Sequence, residues 1–221
     1  MGDGVSRGAI RTVRRGIAVA VLLAVPGSQV LTAGSDSPAV TIRVHDYVDL
    51  SRESIARAQR RVAAIFGAVG VQARWLHTVR PLRAGIDPAS PYEQKELSVI
   101  VLSPEMARHR KVGSDVVGTA VVTPDESGRI AYVLFDRVAQ VARASLADPM
   151  EVMGMVMAHE LGHLILPHGA HSHIGLMRPN WTIEELRTAS GIQFQFTARQ
   201  GEVIRRRLER EPAVSFANAT R

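Results

Sequence analysis

Histidine and glutamate are concentrated in one stretch of the chain: His159-Glu160-Leu161-Gly162-His163, then His168, His171 and His173, with Met177 beyond. Five of the eight histidines fall within fifteen residues. On a helix, a spacing of four puts His159 and His163 on one face, a turn apart, so both imidazoles can reach a single cation. Glu160 then points at a different angle, where it can hold a water against that cation without ligating it. This is the mechanics of the HExxH zinc site, whose glutamate serves as general base.

A hydrolytic zinc site takes a third protein ligand and leaves its fourth position to water. His171 leaves a seven-residue connection after His163, long enough to turn back, and Gly169-Ala170 supply a small-residue hinge. His168 follows Pro167 closely, which hinders folding back, while His173 shares strand parity with His171. Glu184 and Glu185 offer carboxylates on a helix that Thr182 can cap, although acids in a first turn also simply favour the helix dipole. The spacing favours His171 and leaves His173, His168, Glu184 and Glu185 as alternatives.

The element that must position the first two histidines is well specified. Asp148-Pro149-Met150-Glu151 reads as a capping box with proline at the first helical position. From Met150 to Ile165 the residues are apolar nearly all round, which predicts a helix in the core, ended by Pro167. Between Val152 and Leu166 the only ionisable residues are His159, Glu160 and His163. Burying two imidazoles and a carboxylate without partners would cost several kcal/mol. A divalent cation with bound water offsets that penalty, whereas a lone histidine would more simply donate to a core carbonyl.

The half of the chain before this helix is strand-rich. Val40 to Val48 alternates, with Val40, Ile42, Val44 and Val48 on one side. Ser51 can cap a helix with Ile55, Ala58, Val62, Ile65, Phe66 and Val69 at helical spacing, ended by Gly67 and Gly70. Val71 to Trp75 alternates again, and a polar stretch from His77 to Glu96 follows. Leu97 to Leu102 is a continuous apolar run, the mark of a strand buried on both faces. Val116 to Val122 and Ile130 to Phe135 predict a hairpin through Pro124 to Gly128. Gly118 inside the first of these marks either a bulge or close approach by another backbone, as on an edge strand that receives a substrate chain.

Composition narrows the function classes. There is no cysteine, which excludes disulfides, thiolate metal sites and cysteine nucleophiles, so a metal must be held by His, Asp or Glu. Residues 1–34 have a basic n-region, an apolar stretch from Gly16 to Val25 too short to span a bilayer, and a break at Pro26-Gly27-Ser28, as in an export signal. Without them the net charge falls from +6 to +3, which weakens a nucleic-acid reading. The expected organisation is a signal peptide (1–34), one domain (35–211) and a flexible tail (212–221). The protein is expected to be secreted or periplasmic, monomeric and not inserted in a membrane after signal removal. Arg205, Arg206, Arg207 and Arg210 could bind an anionic surface, but beside Val203, Ile204 and Leu208 they read as the solvated face of a helix.

The run His159 to His163, then His171-Ser172 and Gly175-Leu176-Met177-Arg178-Pro179, resembles the zinc site and methionine turn of the metzincin metallopeptidases, the matrixins most visibly. Where their pattern has glycine and the third histidine, three and six residues after the second, this chain has Leu166 and Gly169, so His171 matches only across a two-residue insertion. The stretch through Trp181 is also similar to a group of secreted bacterial proteins regarded as metallopeptidases, more weakly so from Phe196 to Leu208. The resemblance implies an α+β, metzincin-like fold: a mixed twisted sheet of about five strands, a backing helix, a central active-site helix and a mainly helical C-terminal part. It implies Zn2+ as cofactor on His159, His163 and His171, Glu160 as catalytic base, Met177 as an apolar floor beneath the metal, and an endopeptidase acting on peptide or protein substrates. The contrasting expectation is a binding or assembly protein that keeps zinc for folding alone, with the fourth position closed by His168 or His173.

Overall fold

A computed structural model describes residues 37–76, 96–110, 113, 115–123, 128–188 and 193–210. The stretch expected to be a signal peptide (1–34), most of the polar stretch after His77, the expected turn at 124–127 and the expected tail (212–221) lie outside the described residues.

Alternation in the first segment produces β1 (Ala39–Asp46), with Val40, Ile42 and Val44 buried on one face. It stops short of the predicted Val48 because the Asp46 carboxylate accepts the N–H groups of Val48 (2.9 Å) and Leu50 (2.8 Å) and turns the chain. Ser51 caps α1 (Arg52–Gly67) by accepting the Ser54 N–H at 3.0 Å. Gly70, at φ +73°, completes the turn into β2 (Gln72–Trp75). The apolar run forms β3 (Glu96–Leu102), buried along nearly its whole length. Its first residue, Glu96, is buried too and is held by a two-pronged pair with Arg43, both contacts at 2.8 Å.

The predicted hairpin exists but is shorter than expected: β4 (Gly118–Ala120) runs antiparallel to β5 (Ile130–Leu134). The five strands form one sheet in the order β2-β1-β3-β5-β4. All pairings except β4 with β5 are parallel. Parallel neighbours require crossovers, with α1 between β1 and β2 and α2 between β3 and β5, and the class is α/β, not the α+β expected.

Two helices absent from the sequence expectations are α2 (Pro104–His109), capped by Ser103, and α3 (Phe135–Ser145). Phe135, read as the end of a strand, begins α3. Next comes α4 (Pro149–Ile165), capped by Asp148, which accepts the N–H groups of Met150 (2.7 Å) and Glu151 (3.3 Å). Glu151 does not return the second half of a capping box. It lies instead 3.6 Å from Arg61 of α1, and Asp148 also pairs with Arg57 of α1. The two helices approach so closely at Gly154 that a Cβ there would sit 2.7 Å from the Ala58 carbonyl oxygen. Thr182 and Glu185 form a capping box on α5 (Ile183–Arg187), and α6 (Ala198–Arg210) follows. These are six helices among the described residues, and the part after α4 is largely helical.

The core lies between the sheet and the α1–α4 pair. Nearly every residue of α4 is buried, as its composition predicts. Two residues of the arginine run are committed to helix ends: Arg205 donates to the Val69 carbonyl (2.8 Å) just past α1, and Arg207 to the Ile165 carbonyl (3.1 Å) ending α4. Both satisfy carbonyls that lack helical partners and place positive charge at the negative end of a dipole.

Candidate metal centre

The rigid half of the site is the last two turns of α4. His159 and Glu160 are buried, with 8% and 6% of their surface exposed, and His163 is half-buried. His159 places Nδ1 2.8 Å from the Leu176 carbonyl oxygen. A carbonyl only accepts, so Nδ1 carries the proton and Nε2 keeps its lone pair. That lone pair faces His163 Nε2 at 3.1 Å. Two nitrogens on a tetrahedral zinc, each roughly 2.0–2.1 Å from it, lie about 3.3 Å apart, so the observed pair fits one ion.

His171 completes the group from the loop beyond α4. Its ring centre is 4.7 Å from that of His163 and 5.7 Å from that of His159. One ligand nitrogen from each of the three histidines lies within 4.8 Å of the others. Burial and its two imidazole neighbours push His163 from 6.5 down to about 4. His159 is also lowered, by burial first and by His171 to a smaller degree, against the bond to Leu176. Three converging imidazoles offer ring-nitrogen ligands, a donor set suited to a divalent first-row cation without choosing among them.

Of the sequence candidates, the structure brings His159, His163 and His171 together and leaves His168, His173, Glu184 and Glu185 outside the group. The two glutamates have other work: Glu184 pairs with Arg187 at 3.0 Å, and Glu185 with Arg178 at 2.6 Å while capping α5. Met177 is fully buried. A Cβ on Gly162 would stand 2.7 Å from its sulfur and 2.9 Å from the Phe196 ring, so glycine at 162 is what lets Met177 pack directly against the histidine-bearing turn. Trp181 was not singled out as a site residue. Its indole N–H donates to the same Leu176 carbonyl (3.2 Å), and its ring stands edge-on to His159 at 5.5 Å. A tryptophan shortly after Met177 is the signal the sequence carries for it.

Glu160 points to the other side of the turn, toward β4. A Cβ on Gly118 would lie 2.7 Å from the Glu160 carboxylate and 2.7 Å from Val156. The close approach that Gly118 permits is therefore by side chains of α4, not by another backbone. Burial pushes the Glu160 carboxyl up to about 8, partly opposed by a hydrogen bond from the Ala120 backbone. Glu160, the three histidines and β4 line one cleft of about 480 Å³, which continues past Val141, Val156, Trp181 and Leu186. No family model matches the chain, and no curated protein is found to be similar to it.

Proposed function

We propose that the protein is an exported, zinc-dependent endopeptidase of metzincin type, with His159, His163 and His171 as ligands and Glu160 as general base. The observation that carries this reading is the joint placement of three imidazoles and a buried carboxyl in one cleft beside an edge strand. When bound, the ion supplies positive charge that polarises a carbonyl and acidifies water at neutral pH. The positive charge of a bound ion would favour the ionised form of Glu160, which accepts the proton of the attacking water and returns it to the leaving amine. The hydrogen bond from Ala120 keeps the carboxyl in place between those two transfers. Among the described residues no strand covers the outer edge of β4, so an extended peptide can add to the sheet there and lie beside the histidines. The apolar wall of Val141, Val156 and Leu186 favours a bulky apolar side chain next to the reacting bond.

The test is metal analysis of the purified protein together with hydrolysis of a broad peptide library by wild type and Glu160→Gln. The expected result is one zinc per chain in both, with hydrolysis lowered roughly 10²–10⁴-fold in the variant. Absence of stoichiometric metal sinks the reading. Metal without hydrolysis replaces it with the zinc-stabilised binding protein.

A further inference from the structure

His171 is the exposed member of the group, although Ala170 just before it packs against the core. Gly169, two residues before it, takes φ +74°, and a Cβ there would meet nothing within 4 Å. Beside the packing of Ala170, the hydrogen bonds of its neighbours hold the histidine. Ser172 donates its N–H to the Met177 carbonyl (2.9 Å) and its hydroxyl to the Ile174 carbonyl (2.7 Å), closing the loop on its far side.

The remaining anchor comes from thirty residues further along. Gln200 Nε2 stands 3.1 Å from the Ala170 carbonyl oxygen and 3.3 Å from Ser172 Oγ, one on each side of His171. Its other end serves α6: Oε1 accepts the Thr197 N–H at 2.9 Å, while Thr197 Oγ1 accepts the Gln200 N–H at 3.3 Å. That is a capping box, and it settles the amide orientation, since Thr197 N–H needs an acceptor and the Ala170 carbonyl a donor. A glutamate would cap the helix equally well. Only glutamine caps the helix and also donates to the loop.

We infer that Gln200 is a positioning residue for the metal centre, bracketing His171 between Ala170 and Ser172 so that the third imidazole is held in place before any ion arrives. This rests on the metal reading above. Partners bonded to a ligand's own ring change metal affinity roughly 10–100-fold when removed, and Gln200, acting through the residues that flank the ligand, is expected to fall toward the lower end of that range.

Glutamate separates the two jobs. Gln200→Glu keeps the helix cap and replaces the donor to Ala170 with a repelling oxygen, whereas Gln200→Ala loses both. Zinc affinity by chelator competition, the visible absorption of the Co2+-loaded protein, and melting of the metal-free protein are measured for wild type and both variants. Gln200→Glu, which keeps the helix cap, is expected to melt closer to wild type than Gln200→Ala does without metal, to bind Zn2+ about 10-fold more weakly, and to shift the Co2+ bands as one ligand is displaced. The added negative charge biases against that result, which makes it the stricter test. Gln200→Ala is expected to show the same loss with a lower melting temperature. Wild-type affinity and bands in Gln200→Glu overturn the inference. If wild type takes up neither ion, the metal reading falls and this inference with it, a result read from wild type alone before either variant.

Discussion

The two halves of the candidate metal centre are built by different means. His159, Glu160 and His163 ride on a capped helix whose other side chains fill the core, so their positions follow from burial. His171 sits exposed on a loop with a left-handed glycine, located by hydrogen bonds from distant residues. The first half is costly to disturb even without a metal. The second matters chiefly when a metal is bound.

Removing a ligand from each half sharpens the contrast most. His159→Ala and His171→Ala should both weaken zinc binding by more than the roughly 10–100-fold associated with an outer partner. They should part company in the metal-free protein. His159→Ala takes a buried ring and one donor from the Leu176 carbonyl, with an expected loss of about 1–3 kcal/mol in urea unfolding. His171→Ala should stay within about 0.5 kcal/mol. Equal destabilisation by the two would erase the distinction.

Glu160 provides the next largest effect, and its sign is opposite. In the metal-free fold its carboxyl holds a proton up to about 8, while the unfolded chain releases it near 4.5. The unfolded state binds fewer protons between those values, so wild-type stability falls as pH rises from about 4.5 to 8. Glutamine does not titrate and can still accept the Ala120 hydrogen bond. Metal-free Glu160→Gln should therefore be more stable than wild type by about 1–3 kcal/mol near pH 8, converging with it near pH 4.5. A pH-independent difference would show that burial of this carboxyl does not govern its ionisation.

The smallest effect lies at the rim. Glu185 is held down at about 2, by the hydrogen bond from Arg178 first and then by those from Thr182. Its contribution is complete above the ordinary 4.5 and is lost as pH falls toward 2. Glu185→Gln should remove that acid-side slope from thermal melts and leave zinc affinity unchanged. Loss of zinc in this variant would return Glu185 to the list of ligands.

Much of the rigid half was legible in the sequence. Alternation exposed the buried face of β1, an unbroken apolar run marked β3 as covered on both sides, and the apolar girth of α4 announced a core helix whose ionisable residues needed an explanation. Helices α2 and α3 were overlooked although their signals were present: Ser103-Pro104 as a cap and first turn, and Val138, Val141, Ala142 and Ser145 at helical spacing. Phe135 misled because the same residue types serve the end of a strand and the start of a helix. β4 shrank to three residues because an edge strand is held from one side only. The parallel pairing that makes the fold α/β is a property of strands distant in sequence, which local periodicity does not carry. The third ligand stayed open for a related reason: choosing His171 over His168 or His173 depends on partners beyond residue 195. Even Gln200 advertised only its capping box with Thr197.

Those partners carry a consequence for timing. The loop bearing His171 and Met177 is tied down by Gln195, whose carbonyl accepts the Leu176 N–H at 2.8 Å, and by Gln200, while Arg207 closes the end of α4. These ties come from residues that follow all three histidines in the chain. Until those ties form, the chain presents two well-placed imidazoles and not three, so the loop half of the candidate site is the part completed last.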